Sequence, residues 1–261
     1  MTIRLVRGIY DSAVRDQDRK QVGWPSPSPS FPSPLSLIFI LILSSFLKMA
    51  GLINTRLSLR WVPDEPEELT DTLVFNVGDY FMDLRVLKSD GSVDWGMAGV
   101  REILSESPLK CRWNKAIDSL GAAGEADEGV FNRLEDGNDI ETGSMPCPHK
   151  NDAVTDYEEV WKILPPRSGS DRAWILQSAD GKTFLGRVGG SFMAMVQGEK
   201  VFSARRQDLH AGGWNPVYAI GEKEVLPAIE KIDTKDEAGW QVGASLQVQG
   251  KEYVVRASQA I

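Results

Sequence analysis

Tyr80-Phe81-Met82-Asp83-Leu84-Arg85-Val86 decides the fold class, because its side chains alternate with a period of two. Tyr80, Met82, Leu84 and Val86 share one face and Asp83 and Arg85 the other, which is the periodicity of a strand. Ser89-Asp90-Gly91 then reads as a turn, and Val93, Trp95 and Met97 resume the alternation. Upstream, Arg56-Leu57-Ser58-Leu59-Arg60-Trp61-Val62 places Leu57, Leu59 and Trp61 on one face and Arg56, Ser58 and Arg60 on the other. A strand starts at Cys111 and Trp113, and others are expected at residues 130–134 and 157–164. Pro165-Pro166-Arg167-Ser168-Gly169-Ser170 follows as a linker.

Beyond the linker the same style continues with tighter punctuation. Ser178-Ala179-Asp180-Gly181, Gly189-Gly190, Gly198-Glu199 and Gly250-Lys251 separate short apolar runs. Residues 221–233 alone invite a helix, and Pro227 limits it to a turn or two. Short strands with regular turns point to sandwiches or barrels. Each half has the size of a small barrel, which leaves an old duplication open, although no repeat is visible residue by residue.

The 261 residues carry a net charge of −8, with 29 Lys plus Arg against 37 Asp plus Glu. That balance excludes a general phosphate-backbone binder, which needs a basic face. Two cysteines, Cys111 and Cys147, are too few for a disulfide framework or an all-cysteine zinc site. Residues 1–48 differ from the rest, with six basic against three acidic side chains, so residues 49–261 stand at −11. Within them a Pro-Ser tract at 25–34 cannot pack a core. The uncharged run at residues 35–47 is shorter than the roughly 20 residues that a spanning helix needs. Its long polar lead and lack of a small-x-small site also fit a signal peptide poorly. Met49-Ala50-Gly51 reads as a natural start, with a targeting segment or a disordered tail as the alternatives.

The search for chemistry finds little. Cys147-Pro148-His149 leaves little room for both side chains to reach one ion, and Asp136-Gly137-Asn138-Asp139-Ile140-Glu141 lacks the acidic spacing of a calcium loop. There is no G-x-S-x-G elbow and no phosphate-binding glycine loop. Glu158 and Glu159 are consecutive on a strand and point to opposite faces, so they form no dyad. An enzyme is therefore not expected, nor a metal or cofactor. Seven of the eight tryptophans lie beyond residue 49. Each reads first as core, and Trp95, Trp113 and Trp161 are the candidates for an aromatic cavity wall around a small apolar ligand.

Several words together resemble the fungal HRI family: Tyr80 to Arg85, Asp94-Trp95-Gly96-Met97-Ala98-Gly99, Trp113 with Ile117-Asp118-Ser119, and the run from Asp127 to Trp161. The resemblance covers residues 56–261 and is densest up to Trp161. It implies an all-β protein of two consecutive antiparallel, lipocalin-like β-barrel domains, which the linker places at residues 49–164 and 173–261; residues 1–48 have no counterpart in the family and read from their composition as a disordered or mis-assigned extension. It also implies a non-catalytic interaction protein of cytoplasm and nucleus. A casein kinase I-type kinase is the implied partner, and the endoplasmic-reticulum translocation machinery a second one. Cys111 and Cys147 would then be free thiols. Gly96 and Met97 depart from the family pattern of small and aromatic residues there.

A kinase of that type selects Ser or Thr three positions after an acidic residue, which Glu67 with Thr70, Glu102 with Ser105 and Asp152 with Thr155 satisfy. Residues 127–161 hold ten acidic and two basic side chains. Glu135, Asp136, Asp139 and Glu141 are the expected docking residues for a basic partner, against the alternative of a merely solvated face. Because the first 48 residues differ so sharply in composition, a chain starting at Met49 should melt at the same temperature as the full chain. A drop of several degrees in calorimetry would show that those residues contribute to folding.

Overall fold

A computed structural model describes residues 52–261. The expected extension at 1–48, with its Pro-Ser tract and apolar run, lies outside the described residues. The described chain is all-β. Strands β1 (Leu52–Trp61), β2 (Thr70–Val77), β3 (Tyr80–Leu87), β4 (Val93–Glu106), β5 (Leu109–Asp118), β6 (Ala126–Arg133), β7 (Asp139–Cys147) and β8 (Ala153–Leu164) follow one another as antiparallel neighbours. β8 pairs back onto β1, which closes an eight-stranded barrel. Closure removes the exposed edges that an open sheet would present.

After the linker come β9 (Arg172–Ser178), β10 (Thr183–Val188), β11 (Ser191–Gln197), β12 (Phe202–His210), β13 (Gly213–Ile220), β14 (Ser245–Val248) and β15 (Lys251–Ala260). They form a second antiparallel sheet of seven strands in the order β13-β12-β11-β10-β9-β15-β14. Two successive antiparallel units are therefore present, but closure belongs to the first; the second ends in the edge strands β13 and β14. The helix expected at residues 221–233 is reduced to single 3₁₀ turns at Lys223–Val225 and Ile229–Lys231, on either side of Pro227.

The centre of the second sheet, β9 to β11, is buried on both faces. One face packs Ile175, Phe184, Met193, Met195 and Ala204 against Leu73, Phe75 and Val77 of β2 and Met82, Leu84 and Val86 of β3. The other face packs Trp174, Leu185, Phe192 and Val255 under Leu226, Ile229 and Ile232 from the 3₁₀ segment. Burial on both sides leaves every residue of β10 and the first five of β11 buried, where a strand with one solvent face would alternate. Close approach needs glycine at two points. A Cβ on Gly186 would come within 2.5 Å of Met82 Sδ, and one on Gly96 within 2.5 Å of the Phe202 ring. Gly96 is thus the seat of an aromatic ring from β12.

Polar links tie the same two layers. Arg206 of β12 pairs with Asp71 of β2 at 3.2 Å, and the Tyr218 hydroxyl donates to the same carboxylate at 2.8 Å. Asp118 N–H donates to Gln197 Oε1 at 3.0 Å.

The packing settles one strand face that the sequence left open and changes another. The apolar stripe Tyr80, Met82, Leu84, Val86 does not fill the barrel; it is the barrel's outer wall against the second sheet, and Asp83 and Arg85 point inward. In β1 a bulge between Arg56 and Ser58 resets the alternation. Arg56, Leu59 and Trp61 all share the inner face with their partners Trp161, Glu159 and Tyr157, while Leu57 is left 43% exposed. An extra residue in one strand shifts every later side chain, so period-two counting fails across it.

Phe75 is fully buried in the core shared by barrel and sheet. Phe75→Ala should cost about 3–5 kcal/mol. Because the core is shared, calorimetry should show one transition moving to lower temperature, not the loss of one of two.

Candidate functional site

The barrel encloses a cavity of about 380 Å³. Trp95, Trp113 and Trp161, the three tryptophans singled out by sequence, all line it, together with Phe81, Met97, Ile103, Cys111, Phe131, Met145 and Tyr157. Trp113 meets Phe131 edge to face at 5.8 Å between ring centres. The wall is therefore largely aromatic and aliphatic, with charged groups set into it at particular places.

The first of these places is built on Arg85. Its guanidinium donates to Asp83 Oδ2 through Nε at 3.1 Å and Nη2 at 2.9 Å, and to Glu159 Oε1 through Nη1 at 3.0 Å. It also lies over Trp95, 4.9 Å from the ring centre, and over Trp161 at 5.7 Å. Arg56, exposed by only 5%, pairs with the same Glu159 carboxylate and reaches Glu68 at 2.7 Å. Thr70 and Thr72 extend the chain through their hydroxyls. Burial alone would lower the Arg85 pKa, but Asp83 and Glu159 hold it above its ordinary value. Burial raises Asp83 in spite of Arg85, and Asp83 Oδ1 has no hydrogen-bond partner among the described residues.

The second place is Glu141, directly opposite Glu159 across the β7–β8 pair. Its oxygens accept from the Tyr157 hydroxyl at 3.1 Å and the Trp161 indole N–H at 2.9 Å. Two glycines make the room: a Cβ on Gly129 would collide with the Glu141 carboxylate, and one on Gly143 would stand 2.5 Å from the Tyr157 oxygen. Burial, with Glu159 and Asp127 nearby, pushes the Glu141 carboxyl well above its usual range. Asp127, also in the wall, is raised by burial as well. Two opposed glutamates thus differ in kind, one held by two arginines and the other by two neutral donors.

The expected docking set is broken up by this arrangement. Glu141 is 4% exposed and faces the interior, so it belongs to no surface. Asp139 is half-buried at the cavity wall and pairs with Arg133 at 3.1 Å. Glu135 and Asp136 are exposed at the β6–β7 turn, where Asp136 accepts from the Asn138 backbone and side chain. Strand alternation sends half of an acidic run inward, and a charge count along the chain does not see that. The opposed pair Glu141 and Glu159 was missed for a related reason, since its members are 18 positions apart and meet only through strand pairing. The single signal in the sequence was the excess of carboxylates over bases between Asp127 and Trp161.

Among the described residues Cys111 and Cys147 are free and buried, and burial raises the Cys111 thiol. No group of three or more metal-ligating side chains is present among the described residues, and no described helix is long and apolar enough to cross a membrane. Asp208 pairs with Arg167 and Arg206.

A family model described as Protein HRI1 matches residues 52–256. The chain belongs to the HRI1 family. Among solved structures it is similar to the crystal structure of uncharacterized protein YLR301w from Saccharomyces cerevisiae, with a TM-score of 0.63 and 15% identity. That match covers 80% of this chain and 99% of the yeast one, and at such identity it speaks for the fold alone. No curated protein matches the sequence. HRI1 membership thus comes with an eight-stranded barrel and an aromatic cavity here.

Glu141 offers a test of the interior's electrostatics. The folded carboxyl keeps a proton that the unfolded chain has already released. Its contribution therefore falls as pH rises from the ordinary carboxylate range through the raised folded value. Glu141→Gln keeps an acceptor for one donor and cannot ionise. The variant should gain on the wild type by several degrees of melting temperature as pH goes from 5 to 8. A gap that stays constant over that range would show that Glu141 is ionised throughout.

Proposed function

We propose that this HRI1-family protein is a non-catalytic receptor or carrier for a small, largely apolar ligand held inside the β1–β8 barrel. The observation that carries this reading is the cavity of about 380 Å³ behind Trp95, Trp113 and Trp161. Small-molecule pockets run from about 300 to 1,000 Å³ and combine apolar walls with a few fixed polar groups. A barrel serving only as a scaffold gains stability by filling its interior with side chains, since each void forfeits dispersion contacts. The charged groups of the wall are mostly paired with one another, as in Asp83–Arg85–Glu159 and Asp139–Arg133. Such pairs shape and orient a site without drawing water to every part of it.

A kinase partner remains a second proposal, with a narrower surface than the sequence offers. Glu135 and Asp136 are its exposed acidic residues. Of the phosphorylation patterns, Thr70 is 3% exposed and its hydroxyl is engaged by Glu68, which leaves Ser105 and Thr155 as the accessible candidates.

A neutral fluorophore such as Nile red tests the carrier reading. The protein should take up one equivalent saturably, with a change in tryptophan fluorescence. Ile103→Trp, which sets an indole into the void, should abolish uptake while leaving the fold intact by circular dichroism. If the wild type takes up no probe, or Ile103→Trp binds it as well, the cavity is not the binding site.

A further inference from the structure

Three arginines line the cavity, and they are not equivalent. Arg85 is paired with Asp83 and Glu159, and Arg133 with Asp139. Arg101 is different. Its Nε is buried without a hydrogen-bond partner among the described residues, and among those residues no ion pair engages its guanidinium. Arg101 is half-buried, so water shields part of its charge, and no carboxylate among the described residues neutralises the rest; an anion in the cavity would supply that counter-charge. Its surroundings are apolar: Met97 and Ile103 on its own strand, and Trp113, directly opposite it on β5, with Cys111 beside Ile103.

We propose that the ligand carried by the barrel is an amphiphile with one carboxylate, its head bound by Arg101 and its tail lying against the aromatic and aliphatic wall. The inference rests on the carrier reading and adds the chemical class of the ligand.

Four observations narrow the choice. The planar guanidinium matches a carboxylate in a two-bonded fork, which an ammonium or a neutral head group cannot use. A single unpaired arginine balances one negative charge, so a phosphate monoester would bring an uncompensated second charge. The carboxyls that could repel such a head are muted: Asp83 and Glu159 are paired with Arg85, and burial raises Asp127 and Glu141 toward the protonated form. Glu106, the remaining wall carboxylate on β4, is exposed, where solvent screens its charge. The cavity's volume stands near the low end of the range for small-molecule pockets, which favours a medium-length chain over a long one.

The test is displacement of Nile red from the full chain at pH 7.5 by three ligands of one chain length: dodecanoate, methyl dodecanoate and dodecylammonium. Dodecanoate should displace the probe at least ten-fold better than either of the others. Arg101→Met should erase that preference, so that acid and ester displace the probe equally well, and Arg101→Lys should retain part of it. If the ester matches the acid, or if Arg101→Met keeps the preference, the proposal is wrong. Preferential displacement by dodecylammonium would place the anchor on Asp127 and Glu141 and overturn it as well. Should Arg101→Met fail to fold, the comparison of acid with ester on the wild type and on Arg101→Lys still decides. Failure of Nile red to bind at all sinks the carrier reading instead, so the two failures are distinct.

Discussion

The barrel interior depends on one buried cation. Arg85 is almost fully removed from solvent, braced by Asp83 and Glu159 and flanked by Trp95 and Trp161. Breaking one partner of such a pair generally costs about 3–5 kcal/mol, because the other charge is left buried and unpaired. What the group supplies is definition. A guanidinium held at both ends fixes the two indole faces that make up much of the cavity wall. Through Trp161 it also fixes Glu141, which takes the indole N–H. The polar chain therefore runs from Glu68 and Arg56 through Glu159 and Arg85 to the aromatic wall, and the cavity is what remains beside it.

That arrangement is possible because the apolar demand is met elsewhere. A barrel of this size either fills its interior with side chains or leaves space for one small ligand. Here the outer faces of β2 and β3 carry the large apolar side chains and bury them against the second sheet. The second sheet in turn is covered on its far face by the 3₁₀ segment, whose Leu226, Ile229 and Ile232 close over Trp174 and Phe192. Hydrophobic stabilisation is concentrated in these two layers, and the lumen is released for charged groups and empty space. Burial on one side of the barrel wall thus leaves room for a cavity on the other.

The tryptophans divide along the same line. Trp174, fully buried and bonded to Glu237 at 2.8 Å, is core. Trp95, Trp113 and Trp161 belong to the cavity wall. All four sit on strands, and strand alternation alone does not separate the two roles. The separation comes from which face of a strand looks into the lumen.

Strand content, the turns and the break at residues 165–170 could be read from the sequence, because each is a local property: alternation with period two, glycine and aspartate at turns, and two prolines in succession. Three tryptophans of the cavity could be singled out because large aromatics on strands have few places to go. What could not be read was direction. Alternation says that Met82 and Arg85 lie on opposite faces, but both assignments satisfy it. Only the packing of β3 against the second sheet sends Met82 outward and Arg85 in. A bulge at Leu57, an edge left open at β13 and β14, and the meeting of Glu141 with Glu159 are likewise set by pairing between distant strands. Local chemistry determined the elements of this protein. Its inside and outside were decided by the tertiary structure, since burial is a property of two surfaces that the chain brings together only on folding.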